Sequence, residues 1–320
     1  EEETLGLINL IIADGVINDD DVITIGNIKK QIIKKGGVLE FVITDENMNA
    51  VGGFDRLKSW IRKKKKIVDN LDSAKRFGVD VPKGIMLFGM PGCGKSLCAK
   101  ALATEFGVPL LKLDMGMILG PYVGQSEENI RKAIKQSESI APCVLWIDEI
   151  EKAFSGIGGS GGSAEVTTRI FGTLLTWMQE RSRMVFVVAT ANDITSMPPE
   201  FLRRGRFDEV FFVDFPDIDE RKEIIKIHLK KRKKEEWINK IDIDKMAKET
   251  EEFSGADLEA IVSSIVEEAF VNDWKEPVKE YVDNVVKEFK PLSHTMKDKI
   301  DQIKELYKKY NFINVSSRKK

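Results

Sequence analysis

The chain has 320 residues, 42% of them apolar, which is enough to bury a core in each of about two domains. Its 50 lysines and arginines nearly balance its 52 aspartates and glutamates, so the overall charge does not indicate a nucleic-acid partner. No apolar stretch approaches the roughly 20 residues of a membrane-spanning helix, and no signal-peptide pattern opens the chain. We therefore expect no membrane span and a cytoplasmic location.

Cysteine and histidine are scarce in this sequence. The three cysteines lack the spacing of metal ligands, and the two histidines have no obvious ligand partners. We therefore expect neither a zinc site nor a disulfide. Because the chain begins with Glu1 rather than methionine, we also expect it to be a fragment, or the ordered part, of a longer protein.

The first elements predicted in chain order are a helix over Asp21–Lys35 and a short strand over Val38–Val42. Apolar runs then alternate with amphipathic stretches, and each run is apolar enough to be a strand buried on both faces of a parallel sheet. These five runs are Gly84–Phe88, Leu110–Leu113, Cys143–Ile147, Val185–Ala189 and Val210–Val213. A glycine-serine tract, Gly156–Gly162, predicts a mobile loop.

Strand patterns end at Ile218, and only helical patterns follow. These helical patterns cover Glu220–Lys233, Ile243–Glu249, Ala256–Val271 and Thr295–Tyr310. They indicate a second, all-helical domain. We expect the terminal helix to pack on this helical domain or on a neighbouring subunit.

A phosphate-binding pattern, G-x-x-x-x-G-K-S, occupies Gly89–Ser96 directly behind the first of the five predicted strands. A glycine-rich loop lets successive backbone N–H groups close around phosphate oxygens, and the following helix presents the positive end of its dipole to them. Lys95 is expected to reach the β- and γ-phosphates of ATP, and Ser96 to place its hydroxyl on a magnesium ion. An ordinary glycine turn followed by a chance Lys-Ser pair is the alternative.

The third of the five apolar runs, Cys143–Ile147, is followed directly by two acidic residues, Asp148 and Glu149. Phosphoryl transfer needs one carboxylate in the magnesium shell and another that orients the attacking water, so we assign Asp148 to the metal and Glu149 to the water. Alternatively, the pair simply caps the next helix. Its position about 50 residues after the phosphate loop favours the catalytic interpretation.

The predicted fold class is therefore α/β: a P-loop NTPase parallel sheet flanked by helices, followed by a small all-helical lid domain. We expect an N-terminal helical segment and linker over residues 1–46. The ATPase domain is expected over residues 47–215, and the lid domain with a C-terminal helix over residues 216–320.

The order of these motifs resembles that of the AAA clade of AAA+ ATPases. The resemblance rests on the phosphate loop, on Asp148-Glu149, on the strand Val187–Asn192 and on Leu202–Asp208, and it spans most of residues 47–272. It implies ATP and Mg²⁺ as cofactors, and a homo-oligomeric ring of six subunits.

Within that clade the sequence most resembles the "hypothetical chloroplast reading frame" ATPases of plastids and cyanobacteria. This narrower likeness rests on Gly52–Lys58, Ala141–Ile150 and Gly205–Glu209. It implies the plastid stroma as an alternative to the cytoplasm, although the Lys- and Ile-rich composition would also suit a virus-infected host cytoplasm.

The resemblance also implies catalytic roles for three further residues. Asn192 matches the polar residue that senses the γ-phosphate, and Arg203 and Arg206 match the pair that reaches the neighbouring subunit's nucleotide. Arg204 stands where many AAA proteins have proline, so whether Arg203 or Arg204 crosses the interface stays open. The alternatives are a turn residue for Asn192 and surface ion pairs for the arginines.

The nucleotide-binding residues implied by the resemblance come from three parts of the chain. They are Val51 and Gly52 against the adenine, Pro91, Gly92, Cys93, Gly94, Lys95, Ser96 and Leu97 of the phosphate loop, and His228, Gly255 and Ala256 of the lid. The alternative for Val51 and Gly52 is a flexible turn. The alternatives for the lid residues are a packing role for His228 and an ordinary helix start, capped by Ser254, for Gly255 and Ala256.

A pore loop is implied around Tyr122 and Val123, where related rings carry an aromatic residue that grips a threaded chain. Packing of Tyr122 on its own domain is the alternative. The predicted function is thus Mg²⁺-dependent ATP hydrolysis that remodels or unfolds a protein substrate through a central pore. An ATP-gated binding or regulatory module without threading is the alternative, and a nucleic-acid motor is the least favoured.

Overall fold

The computed structural model describes residues 37–118, 125–154, 163–181, 183–195, 197–203 and 205–317. The predicted features that lie outside these ranges are the helix Asp21–Lys35, the glycine-serine tract, Tyr122, Val123 and Arg204. In the described ranges, none of the helices is both long enough and apolar enough to cross a membrane.

Seven strands of the described chain form one sheet in the order β1-β3-β4-β5-β2-β6-β7. They are Leu39–Val42 (β1), Gly84–Gly89 (β2), Leu110–Leu113 (β3), Cys143–Ile147 (β4), Val185–Ala191 (β5), Glu209–Val213 (β6) and Ile313–Asn314 (β7). All neighbours pair in parallel except β1 and β3, which are antiparallel at one edge. The predicted strands are confirmed, and three of them are slightly longer than predicted.

The central strands are buried along their whole length. Every residue of β2, β4 and β5 is buried, which explains why these strands are continuous apolar runs rather than alternating patterns. The carboxyl ends of these parallel strands meet at one edge of the sheet. The phosphate loop after β2 and the acidic pair after β4 are therefore brought to the same edge.

Helices cover the sheet and form a separate group after it. Those among the strands are Asp55–Val68 (α1), Leu71–Phe77 (α2), Lys95–Phe106 (α3), Met115–Ile118 (α4), Gln125–Ile140 (α5) and Ser163–Glu180 (α6). Those after β6 are Ile218–Lys231 (α7), Ile243–Glu249 (α8), Gly255–Val271 (α9), Lys279–Glu288 (α10), Leu292–Thr295 (α11) and Lys297–Tyr310 (α12). Capping boxes begin α7, through Asp217 and Glu220, and α9, through Ser254 and Asp257.

The buried apolar side chains form two hydrophobic clusters. One lies around the sheet. The other is formed by α7 to α10 and the turns between them, with Trp237, Leu258 and Ile261 among its fully buried residues. The α/β sheet with an added helical part is thus confirmed.

The C-terminal part of the chain departs from the prediction. Ile300 and Ile303 of α12 belong to the cluster around the sheet, and the Tyr307 ring stacks on Phe212 of β6 at 4.2 Å. After α12 the chain adds β7 beside β6. The prediction that strands end at Ile218 is therefore wrong, because a two-residue strand has too little periodicity to be seen in sequence.

The expectation that α12 packs on the lid is also wrong for its apolar face, which is buried against the sheet. Its polar side does reach the lid, because Lys304 forms an ion pair of 3.1 Å with Glu252. The terminal helix consequently contacts both parts of the molecule.

Candidate active site

A cavity lies where the phosphate loop meets the helical part. Of the predicted nucleotide-binding residues, those lining it are Val51, Gly52, Gly92, Cys93, Gly94, Leu97, His228, Gly255 and Ala256. Pro91, Lys95 and Ser96 lie in the same loop but do not line this cavity. The structure thus brings all three predicted parts of the nucleotide site together.

Glycine is required in the phosphate loop for two reasons. Gly92 and Gly94 have φ angles of 71° and 85°, in the left-handed region that favours glycine. A Cβ atom on Gly92 would also lie 2.8 Å from the Ser254 hydroxyl of the lid. The lid approaches this closely because the Ala256 N–H donates to the Gly92 carbonyl at 3.0 Å.

Lys95 is buried beneath the loop. Its ammonium donates to the carbonyl oxygens of Gly89 at 2.9 Å and Met90 at 2.7 Å. Burial lowers the pKa of Lys95 to about 8, against a smaller opposing effect of nearby acidic groups. Burial removes water from around this ammonium, and a phosphate anion beside it would compensate for the lost hydration.

Residues at or just after the carboxyl ends of three strands form the catalytic end of the candidate site. The Ser96 hydroxyl donates to Asp148 Oδ1 at 3.0 Å, and the Thr190 hydroxyl donates to the same oxygen at 2.6 Å. Thr190 in turn accepts the Glu149 N–H at 3.0 Å. Thr190 was not among the predicted site residues. Its one signal in sequence is that it is the polar residue of the apolar strand β5, which does not distinguish a site residue from any other buried threonine.

The oxygen donors at this end fit a magnesium ion. Mg²⁺ prefers hard oxygen ligands at about 2.1 Å in octahedral geometry, and adjacent corners of such an octahedron are about 3.0 Å apart. Ser96 Oγ and Asp148 Oδ1 have this separation. The two residues can therefore hold neighbouring positions and leave the others for phosphate oxygens and water.

Glu149 leaves strand β4 in an uncommon conformation. Its φ angle is 48°, which costs a residue with a side chain on the order of 1–3 kcal/mol. Its partly exposed carboxylate forms an ion pair with Lys152.

Asn192 follows β5 and is fixed by an unpredicted carboxylate. Its N–H donates to Glu151 Oε1 at 2.9 Å. Glu151 Oε2 is buried and has no hydrogen-bond partner in the described part of the protein, and burial raises the pKa of this carboxyl group. Glu151 therefore positions the backbone at Asn192 at some electrostatic cost.

Arg203 and Arg206 both lie beside Glu200. Arg203 is largely exposed, 4.0 Å from Glu200, whereas Arg206 is half-buried and donates to the Glu200 carbonyl. Neither side chain lines the nucleotide cavity.

His228 and the segment before α1 connect the cavity to the lid. Burial lowers the pKa of His228, whose Nδ1 lies 3.7 Å from Glu259. The Gly53 N–H donates to Glu223 of α7 at 2.9 Å, and Lys58 donates to the Val51 carbonyl at 2.5 Å. The contacts of Gly53 with Glu223 and of His228 with Glu259 join residues far apart along the chain, so no local pattern in the sequence predicts them.

Comparisons with known proteins agree with this geometry. Residues 85–215 match the model of the family described as "ATPase family associated with various cellular activities (AAA)". A Guillardia theta protein named "Uncharacterized AAA domain-containing protein ycf46" is 42% identical over 277 residues, covering 87% of this chain and 54% of that protein. The chain thus spans about half the length of that relative.

Two further relatives carry other names. "Cell division control protein 48 homolog C" of Arabidopsis thaliana is 35% identical over 224 residues, which are 69% of this chain and 27% of that protein. "ATP-dependent zinc metalloprotease FtsH" of Aster yellows witches'-broom phytoplasma is 32% identical over 269 residues, 79% of this chain and 38% of that protein. Through the domain that carries the phosphate loop and Asp148, the chain belongs to the AAA family of ATPases.

Proposed function

We propose that this chain binds ATP with Mg²⁺ between the sheet and the helical lid and hydrolyses it. The observation that carries the proposal is the convergence of the buried Lys95, the Ser96–Asp148 pair and Glu149 beside one cavity. In this proposal residues 47–215 are the ATPase domain and residues 1–46 belong to an N-terminal region. Residues 216–320 contain the lid, followed by the C-terminal helix and strand that return to the sheet. We further place the protein in the plastid stroma or the cytoplasm.

Each residue has a distinct task in the proposed reaction. The loop N–H groups and Lys95 bind the β- and γ-phosphates, while Ser96 and Asp148 hold Mg²⁺, which neutralises charge that develops on the phosphates. Glu149 orients the attacking water and accepts its proton. Asn192, held by Glu151, lies one strand away and orients the water or the γ-phosphate.

We also propose that the chain works as a homo-oligomeric ring, with six subunits, in which Arg206, paired with Arg203, completes the neighbour's site. The match of Arg203 and Arg206 to the arginine pair of the AAA clade supports this arrangement, because a guanidinium stabilises transferred phosphate only in contact with it. A head-to-tail interface of this kind repeats around a closed ring.

Mixing two inactive variants tests the shared site. Arg206→Ala and Glu149→Gln should each be inactive in ATP turnover, whereas a ring of equal parts should regain activity. About one site in four then combines an intact Glu149 with an intact neighbouring Arg206. ATP turnover is measured for each variant and for the mixture, after mass measurement has shown that rings form with ATP and Mg²⁺.

The outcome separates the alternatives. A mixture as inactive as its components, in rings shown to be mixed, would contradict the shared site. Normal turnover by Arg206→Ala alone would contradict it as well. Monomers in every condition would instead favour a nucleotide-gated binding module over a ring motor.

For the work done by the ring, we propose remodelling of a protein substrate through a pore that contains Tyr122 and Val123. The likeness to an ATP-dependent metalloprotease supports a protein substrate rather than a nucleic acid, as does the near-zero net charge.

Tyr122→Ala should keep ATP turnover and lose the unfolding of a folded fluorescent reporter with an unstructured tail. Retained unfolding would contradict threading, and capture of a partner with ATP without unfolding would favour the binding module.

A further inference from the structure

The chain returns to the nucleotide cavity at its C-terminal end. Asn314, Val315 and Ser316 line the cavity beside Phe215, although about 100 residues separate them from the end of β6. We call residues 311–317 the C-terminal segment. None of the motifs that predicted the nucleotide site includes it.

The backbone of this segment is fixed on both sides. The Val315 N–H donates to the Phe212 carbonyl of β6 at 3.0 Å, and the Val315 carbonyl accepts the N–H groups of Arg56 and Leu57 at 3.0 and 3.2 Å. The segment therefore links β6 to the start of α1. This start immediately follows the residues expected to contact adenine.

A second contact fastens the end of the segment. The Ser317 N–H donates to Asp55 Oδ1 at 2.9 Å, and the Ser317 hydroxyl donates to the other oxygen of Asp55. Burial would raise the pKa of Asp55, but the hydrogen bonds from Ser317 and the backbone outweigh it and lower this pKa. Asp55 thus acts as an anionic latch at the first turn of α1.

Strand order shows which end of the nucleotide the segment faces. Asp148 directly follows β4, and Thr190 lies near the end of β5. Both strands are on one side of β2, whereas β6 and β7 lie on its other side. With neighbouring strands about 4.8 Å apart, β7 lies about 10 Å from β2, the strand that leads into the phosphate loop, on the side away from β4 and β5. A nucleotide whose phosphates occupy the loop therefore extends its base and sugar towards the segment.

The segment also offers an unused polar group. Asn314 and Ser316 are each only 2% exposed, and the Ser316 N–H donates to Asn314 Oδ1 at 2.9 Å. The Ser316 hydroxyl is buried and has no hydrogen-bond partner in the described part of the protein. Buried hydroxyl groups are normally paired, so this one is available to a ligand or to an ordered water beside it.

We propose that the C-terminal segment, latched by Asp55, forms the wall of the site for the base and sugar of the bound nucleotide. This inference rests on the proposed nucleotide-binding function. It adds a binding element from outside the phosphate-loop motifs. If the docked segment strengthens nucleotide binding, then a bound nucleotide must strengthen docking of the segment to the same extent.

The test compares a nucleotide with a ligand that has only its phosphates. In Asp55→Ala, and in a chain ending at Tyr310, ATP should bind about tenfold more weakly, the loss expected from one or two hydrogen bonds. Inorganic tripolyphosphate should bind as it does to the unchanged chain. Asp72→Ala is the matched control, because Asp72 is an exposed acid in the first turn of α2 with no role in the latch.

Three results would overturn the inference: unchanged ATP binding by Asp55→Ala, an equal loss for both ligands, or the same loss in Asp72→Ala. If the shortened chain does not fold, Asp55→Ala alone decides. Failure of the unchanged chain to bind ATP would contradict the proposed function itself. The two hypotheses are therefore distinguished by one titration series.

Discussion

Replacing Glu149 by Gln is expected to lower ATP turnover by about a thousandfold while ATP binding stays within a factor of two or three. The amide keeps the size of the side chain but cannot accept the proton of the attacking water. Binding should survive because Glu149 does not line the cavity, and its N–H keeps the hydrogen bond to Thr190. Turnover is measured by phosphate release and binding by titration with a fluorescent ATP analogue.

The control for this change is Glu288→Gln, the same substitution at an exposed position near the end of α10. It should alter neither quantity. A fall in turnover of less than tenfold in Glu149→Gln would remove Glu149 from the role of base. A parallel loss of binding would show that its carboxylate supports the site's structure instead.

The phosphate site was predictable because its parts are contiguous in sequence. Glycine spacing, a basic residue and a hydroxyl within Gly89–Ser96 describe one loop, and the buried strand before it is a continuous apolar run. The acidic pair after β4 was predictable for the same reason. Parallel strands then bring both to one edge of the sheet without further information.

The supporting contacts were not predictable from a single sequence. Thr190 holds Asp148 from 42 positions away, and Glu151 reaches Asn192 across 41 positions. Such pairs depend on which strands are neighbours, and strand order is not encoded in local periodicity. A lone threonine in an apolar strand, or a glutamate in a short turn, looks the same in sequence with or without these roles.

The C-terminal segment shows the same limit more strongly. Two residues of strand carry no readable pattern, and the helix before them looks like any amphipathic surface helix. What places the segment is the stacking of Tyr307 on Phe212 and the parallel pairing of β7 with β6. Sequence periodicity predicted that α12 has an apolar face, but not which surface covers it.

Replacing Lys95 by Met is expected to weaken ATP binding by at least a hundredfold without destabilising the protein. Removing one partner of a buried, hydrogen-bonded charge pair costs about 2–5 kcal/mol of binding, and about 2.7 kcal/mol corresponds to a hundredfold. Methionine keeps an unbranched side chain that lacks only the terminal atom of lysine, so loss of packing contributes little to the effect. Titration with ATP measures the first quantity, and thermal unfolding of the nucleotide-free protein measures the second.

The stability half of this prediction follows from the sign of the pKa shift at Lys95. Burial lowers this pKa to about 8, so at pH 7 the folded protein carries a charge that is less favourable than in the unfolded chain. Removing the charge should therefore keep or raise the unfolding midpoint, even though two carbonyl oxygens lose a donor. Lys100→Ala, on the same helix and only half-buried, should leave ATP binding unchanged. Normal ATP binding by Lys95→Met would contradict phosphate binding by this loop, whereas a large loss of stability would mean that Lys95 is needed for folding rather than for the nucleotide.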